Sequence, residues 1–361
     1  MKSLPFTIPF SGFCGTTFIN CFASTYMFLE NIVGDDGFEC KKRDRKPCDS
    51  CGNCRNQTSG LQEGIFFLFD TMCGRSSLRC RFDGEPTEMQ KWIGETEEGS
   101  CGTDDTVDFL FGFAGYAYNK VTADFQTAIV ASIDAGRPVI AKVNSGENRF
   151  RVITGYDGGK LLSPEYKNVQ KPPKRAPKYE ELEALYVVGE KVAPKENQLR
   201  LGLQRIEQVM ERSLKENLWD EYAAQLKCWG DTGLCNEPDK EVKRRFKRAA
   251  ETMWHAFNCH NFAETFRHCV HEELRDPALT ECWANISFLY DDTHTRAWSI
   301  IHLEQALDWS KRPEWGTCEI VPLVIEKMKQ NDIGVLAEIR RALRILHQKL
   351  DCDPSSILIR K

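Results

Sequence analysis

The segment Cys48-Asp49-Ser50-Cys51-Gly52-Asn53-Cys54 sets three cysteines at three-residue spacing, and Cys40 stands eight residues before the first of them. A Cys-x-x-Cys turn lets two thiolates meet one ion, and Gly52 and Asn53 permit the tight backbone that this requires. The implied chemistry is a four-thiolate metal site of Cys40, Cys48, Cys51 and Cys54, whose charge Lys41, Lys42, Arg43, Arg45, Lys46 and Arg55 would offset. Zinc is the first expectation. An iron–sulfur cluster is the second, because the run lacks the Cys-Pro ending usual in ferredoxins. A loop of reduced thiols is the plain alternative. Cys73, Cys80 and Cys101 are either further ligands or unrelated buried thiols.

A different thiol chemistry is nucleophilic. Cys21 follows the glycine- and threonine-rich segment Ser11 to Thr17 and precedes a dense apolar stretch, Phe22 to Val33, which reads as a buried helix ending at Gly34. A thiol at a helix N-terminus sees the positive end of the dipole, which favours the thiolate. Free cysteine is also among the most buried residue types, so a core role stands beside the nucleophilic one. The first 254 residues contain no histidine, and all seven histidines lie at or after His255. There, His255, Cys259, His260, His268, Cys269, His271 and Cys282 crowd together. His255 and Cys259 share a helix face and could share a metal, but packing thiols and surface imidazoles are the simpler reading.

The elements that must position these groups belong to a 361-residue chain with 48 basic and 53 acidic side chains, a formal net charge of −5. That balance argues against a broad polyanion-binding surface. The basic run Lys243 to Arg248 has acidic flanks and reads as a solvated helix face, so no nucleic-acid partner is expected. No stretch reaches the ~20 apolar residues that span a bilayer, and prolines interrupt the N-terminus before a signal-peptide core can form. The sixteen cysteines are therefore expected as reduced thiols or metal ligands in a cytoplasmic protein. The sequence does not set an oligomeric state.

Thr122 is the expected cap of a helix whose apolar positions Phe125, Ala128, Ile129 and Ile133 run to Gly136. Strands follow at 138–143, 149–156 and, after the Asp157-Gly158-Gly159 turn, 160–163. Leu185 to Val188 could complete the sheet. Residues 163–178 carry four prolines and five basic residues and read as an exposed loop. After Pro194 glycine becomes scarce and helical periodicity takes over, first at Leu199, Leu203, Ile206, Met210, Leu214 and Leu218. Further helices are expected near 238–258, 260–274, 277–290, 295–310, 319–330 and 333–350.

The order of Cys21, helix, long gap, helix, Pro138-Val139-Ile140 strand and Val152-Ile153-Thr154-Gly155-Tyr156-Asp157 strand resembles the papain-like cysteine peptidases that process bacteriocin leader peptides. It is also similar to the N-terminal domain of the butirosin-biosynthesis acyltransferase. The resemblance covers roughly residues 10–165. It implies a nucleophilic cysteine opening a helix that ends in glycine about thirteen residues later, the Cys21–Gly34 interval, with Cys14 in reserve because Cys14-Gly15 matches the peptidases' Cys-Gly pair. Arg149 stands at the family's catalytic His position. Ser163, before Pro164, stands at its Asp position. Arginine can stabilise a thiolate but cannot shuttle protons at neutral pH, so a standard dyad within residues 1–195 is excluded.

The expected architecture is α+β: a papain-like N-terminal domain of helix plus antiparallel sheet over residues 1–195, with a Cys-rich insert at 40–54, followed by an all-α helical domain over 196–361. The leading expectation for function is binding of a peptide or acyl group in a papain-like cleft without classical proteolysis. The alternatives are a thiol-dependent acyltransferase or amide hydrolase using Cys21 with a histidine from the helical domain, and a metal-stapled scaffold.

Overall fold

Thr17 takes extended backbone and its hydroxyl accepts the Asn20 amide at 3.3 Å, which starts helix α1 (Phe18–Leu29). Threonine is well suited to this cap because its oxygen satisfies one of the unpaired first-turn donors. The helix stops at Glu30, and Asn31 turns into the left-handed region at φ +53°. Asparagine tolerates that conformation better than most residues. Helix α1 therefore begins four residues before the expected Phe22 and ends before the expected Gly34, which lies outside the described residues.

The computed structural model describes residues 1–6, 17–32, 60–81, 85–95, 101–144, 149–164, 175–192, 197–230, 276–306 and 315–348, with Arg244, Lys247, Met253, Ala256, Cys259, Phe262 and Thr265. The fold is α+β, with antiparallel sheets and a helical C-terminal region. The chain divides into two units. One holds residues 1–69 and 93–196, the other residues 70–92 and 197–361. Residues 70–92, placed by the sequence within the first domain, thus pack with the second unit.

In the first unit, strands β1 (Lys2–Ser3), β5 (Gly155–Asp157) and β6 (Lys160–Leu162) form one sheet in the order β1-β5-β6. Strands β2 (Tyr116–Val121), β3 (Val139–Val143), β4 (Phe150–Ile153) and β7 (Leu182–Lys191) form a second in the order β2-β7-β3-β4. The expected strands after Pro138 are present, but they divide between two sheets. Gly155 explains part of the division. A Cβ there would lie 2.4 Å from the Lys2 carbonyl oxygen, so only glycine lets β1 pair with β5 at Ser3↔Gly155. The long strand β7 runs through the four-stranded sheet, pairing with both β2 and β3.

Period-two alternation gives this sheet two apolar faces. Ile140, Val152 and Tyr186 are cross-strand neighbours on one face, with Lys142 beside Phe150. That face meets Phe18, whose ring lies 5.3 Å from Phe150 and 5.1 Å from Tyr186. The other face packs Val139, Ala141, Ile153 and Leu185 against Ile129 and Ile133 of a second helix (Phe125–Asp134). That helix is capped at Asp124, in the left-handed region, rather than at Thr122. Between α1 and this helix lie α2 (Gly60–Met72), α3 (Glu88–Ile93) and α4 (Asp104–Ala114), so the Phe125–Asp134 helix is α5. Phe69 of α2 and Phe111 of α4 close on Phe22 at 5.0 and 4.9 Å.

The second unit contains α6 (Gln198–Lys215), α7 (Leu218–Gly230), α8 (Pro277–Ala306) and α9 (Trp315–Gln348). The four helices expected across 277–350 are two long ones. Gly334, inside α9, lets that helix approach α8: a Cβ there would stand 2.9 Å from Leu289 Cδ1. Arg79 and Asp332 are both buried and form two hydrogen bonds, Nε to Oδ2 at 2.9 Å and Nη2 to Oδ1 at 2.6 Å. Trp219 Nε1 donates to the same Oδ2 at 2.7 Å. Burial opposes the charge on Arg79, and the Asp332 carboxylate more than offsets it, raising the guanidinium's pKa above its ordinary value. Removing one partner strands the other charge. Asp332→Ala is therefore expected to destabilise the second unit by about 3–5 kcal/mol, read by Trp fluorescence during denaturant unfolding, while Arg79→Met with Asp332→Leu recovers most of that loss.

Candidate functional site

Cys21 is the fourth residue of α1, and its amide already donates to the Thr17 carbonyl at 3.1 Å. It is therefore inside the hydrogen-bonded helix, not at the open end where unpaired amides would stabilise a thiolate. Its side chain is 0% exposed, flanked in sequence by Phe22 and buried on the same helix as Phe18. Burial pushes the thiol up to about 12, and the charge of Arg151 opposes this only in part. The cation whose field reaches Cys21 is thus Arg151, two residues beyond the expected Arg149.

Arg149 is half-buried, just before β4, and its carbonyl accepts the Val143 amide at 2.8 Å. Ser163 follows β6, in the other sheet, and its buried hydroxyl has no hydrogen-bond partner among the described residues. Among the described residues, no hydrogen bond joins Cys21 Sγ to either of them. The sequence-derived trio of Cys21, Arg149 and Ser163 is not linked as a catalytic constellation. Cys14 and the expected metal ligands Cys40, Cys48, Cys51 and Cys54 lie outside the described residues, as do His255, His260, His268, Cys269 and His271.

The other described thiols are placed as core groups. Cys73 is pushed up to about 12 by burial and by Asp70, and its Sγ donates to the Asp70 carbonyl at 3.2 Å. Cys259 Sγ donates to the Tyr290 carbonyl at 3.0 Å, and burial raises its pKa. Cys101 adopts φ +58° and donates to Glu95 Oε2 at 2.6 Å. The next residue, Gly102, has no room for a side chain, since a Cβ would lie 2.1 Å from the Phe150 ring. No group of three or more His, Cys, Asp or Glu side chains suited to a metal occurs among the described residues.

Among the described residues of the second unit, spaces open at two places. One is a cavity of about 10 Å³ beside the buried ion pair, lined by Arg79, Cys80, Leu218, Trp219, Tyr222, Met253 and Ala256. It has room for one water at most. The other is a groove of about 380 Å³ between α3 and α6, lined by Glu88, Met89, Lys91, Trp92, Gln208 and Arg212. The sequence did not single out these residues. Their only advance signal is the four-residue interval between Gln208 and Arg212, which puts both on the polar face of the amphipathic helix.

No family model, curated protein or solved structure matches this chain. No helix among the described residues is long and apolar enough to cross a membrane.

The placement of Cys21 has a direct energetic consequence. A hydroxyl in the same apolar position would be buried without a partner. Cys21→Ser is expected to lower the stability of the first unit by about 1–3 kcal/mol, and by more than Cys21→Ala, in thermal or denaturant unfolding.

Proposed function

We propose that the protein works by binding rather than by thiol catalysis: a peptidase-like helix-and-sheet unit that takes a peptide or an acyl group without cleaving it. The observation that carries this reading is the complete burial of Cys21, with its thiol held near 12. At neutral pH burial holds such a group in its neutral thiol form. Both peptide cleavage and acyl transfer through this sulfur need the thiolate and a path for the substrate to reach it. The antiparallel sheet behind α1 and the Thr154-Gly155-Tyr156 segment that leads into β5 favour the resemblance as architecture, in which Arg149 and Ser163 stand at the positions of the family's proton-handling groups.

The thiol's pKa rises on folding, so its contribution to stability is whole below the free-thiol value and is lost as pH climbs towards 12. The accessible test is alkylation. Iodoacetamide applied to the folded chain between about pH 6 and about pH 9 is expected to leave Cys21 unlabelled by peptide mass spectrometry, and to label it once the chain is denatured. Rapid labelling of native Cys21 below pH ~8.5 would overturn the binding reading in favour of a thiol enzyme.

The proposal includes a zinc ion held by Cys40, Cys48, Cys51 and Cys54. Purified protein is then expected to carry about one equivalent of zinc in elemental analysis, and Cys48→Ser with Cys51→Ser to lose it. Metal-free wild-type protein with an unchanged unfolding curve sinks the metal site and leaves the binding reading intact.

A further inference from the structure

The groove between α3 and α6 belongs wholly to the second unit, so it stands apart from the reading of the first. Its apolar wall is made by Trp92 and Met89. The Arg205 guanidinium lies 4.1 Å from the centre of the Trp92 ring. Arg205 is itself only 7% exposed, and its Nε donates to the Cys73 carbonyl at 2.8 Å. The indole is therefore backed by a fixed planar cation, which sets the wall before any ligand arrives.

The polar wall comes from α6. Gln208 and Arg212 are both exposed and occupy one helix face. The carboxylates around them, Glu88, Glu211 and Glu216, feel the charge of Arg212 but form no ion pair with it among the described residues. Glu88 is paired with Lys91 at 2.9 Å, and Glu211 with Lys215 at 3.0 Å and with Arg340 at 3.6 Å. Arg212 thus presents a planar cation with five donors, uncommitted to any described side chain, beside a flat aromatic surface.

We propose that this groove binds a carboxylate joined to an aromatic or large apolar group. Arg212 grips the carboxylate with two parallel N–H···O bonds, Gln208 donates its amide N–H, and the apolar group lies on Trp92 and Met89. The volume of about 380 Å³ suits a ligand of amino-acid to dipeptide size. Glu88 at the rim favours a singly charged carboxylate over a phosphate dianion. The carboxylate can belong to a free aromatic acid or to the C-terminus of a peptide, and both offer the same chemistry to Arg212.

Calorimetry and saturation-transfer NMR on the full chain separate these cases. The probes are N-acetylphenylalanine, its primary amide, acetate, and a tetrapeptide ending in phenylalanine with its C-terminus free or amidated. Either free acid, or both, is expected to bind, with the matching amide and acetate weaker by about tenfold or more. Binding of N-acetylphenylalanine assigns a free acid as sufficient, and binding of the tetrapeptide acid alone assigns a peptide C-terminus. Arg212→Gln is expected to weaken binding about tenfold, whereas Arg344→Gln, at an exposed cation of α9 outside the groove, leaves it unchanged. Trp92→Ala should act like Arg212→Gln, and Trp92→Phe, which keeps a ring in place, should retain most of the affinity. Equal binding of acid and amide, an Arg212→Gln protein that binds as well as wild type, or no binding of any probe up to ~10 mM overturns the proposal.

Discussion

The first unit depends on one contact set more than on any other: the ring of Phe18 pressed between α1 and the four-stranded sheet. Phe18 is fully buried and meets Phe22, Phe111, Phe150 and Tyr186, with ring centres 5.1 to 6.4 Å apart. These rings come from two helices and two strands that are distant in sequence, so one side chain ties the apolar face of the sheet to the helix that starts at Thr17. Aromatic rings at such distances contribute edge-to-face attraction beyond the area that they bury. Gly102 belongs to the same arrangement, because Phe150 occupies the space that any side chain there would need.

This packing decides the chemistry of Cys21. A helix drawn so tightly onto a sheet that its residues from Phe18 to Met27 are all buried offers no open face at its fourth position. The thiol is desolvated and its charged form is disfavoured by far more than the nearby Arg151 restores. The same logic covers Cys73 and Cys259, which spend their hydrogen-bonding capacity on backbone carbonyls of their own unit. Thiol chemistry needs a polar or cationic setting with solvent access, and these sites have been built for packing.

The second unit handles charge in two contrasting ways. Arg79 and Asp332 are buried together, with Trp219 completing the carboxylate's shell, and the Arg79 guanidinium lies 5.7 and 5.8 Å from the ring centres of Trp219 and Tyr290. Such a pair fixes the mutual arrangement of the segments that carry it, since separating them would leave a buried charge uncompensated. Arg205 is likewise spent on a carbonyl and an indole face. Arg212, seven residues later on the same helix, is left facing a groove. Cations with fixed partners serve the structure, and Arg212, which faces the groove with no ion pair among the described residues, is placed where a ligand can add something.

Much of the local structure was legible in the sequence. The α+β class, the strands that follow Pro138, the glycine turn at 158–159 and the long amphipathic helix after Asn197 all follow from short-range rules of periodicity and turn chemistry. Those rules act within a few residues and need no partner. They failed where the partner decides. The strands after Pro138 read as one sheet, but β5 and β6 join β1 in a sheet of their own, because a partner from the start of the chain decides their pairing. The breaks expected at 290–295 and 330–333 are absent, because α8 and α9 run through them, and Gly334 lets the two helices approach at Leu289. The residues available for thiol and metal chemistry, the lack of histidine in the first 254 positions and the departures at Arg149 and Ser163 were set by the sequence alone. Whether Cys21 sits in water or in a core, and which arginines are drawn into buried pairs and which face a groove, was decided only by tertiary packing. Desolvation and ion pairing depend on neighbours that come from far along the chain.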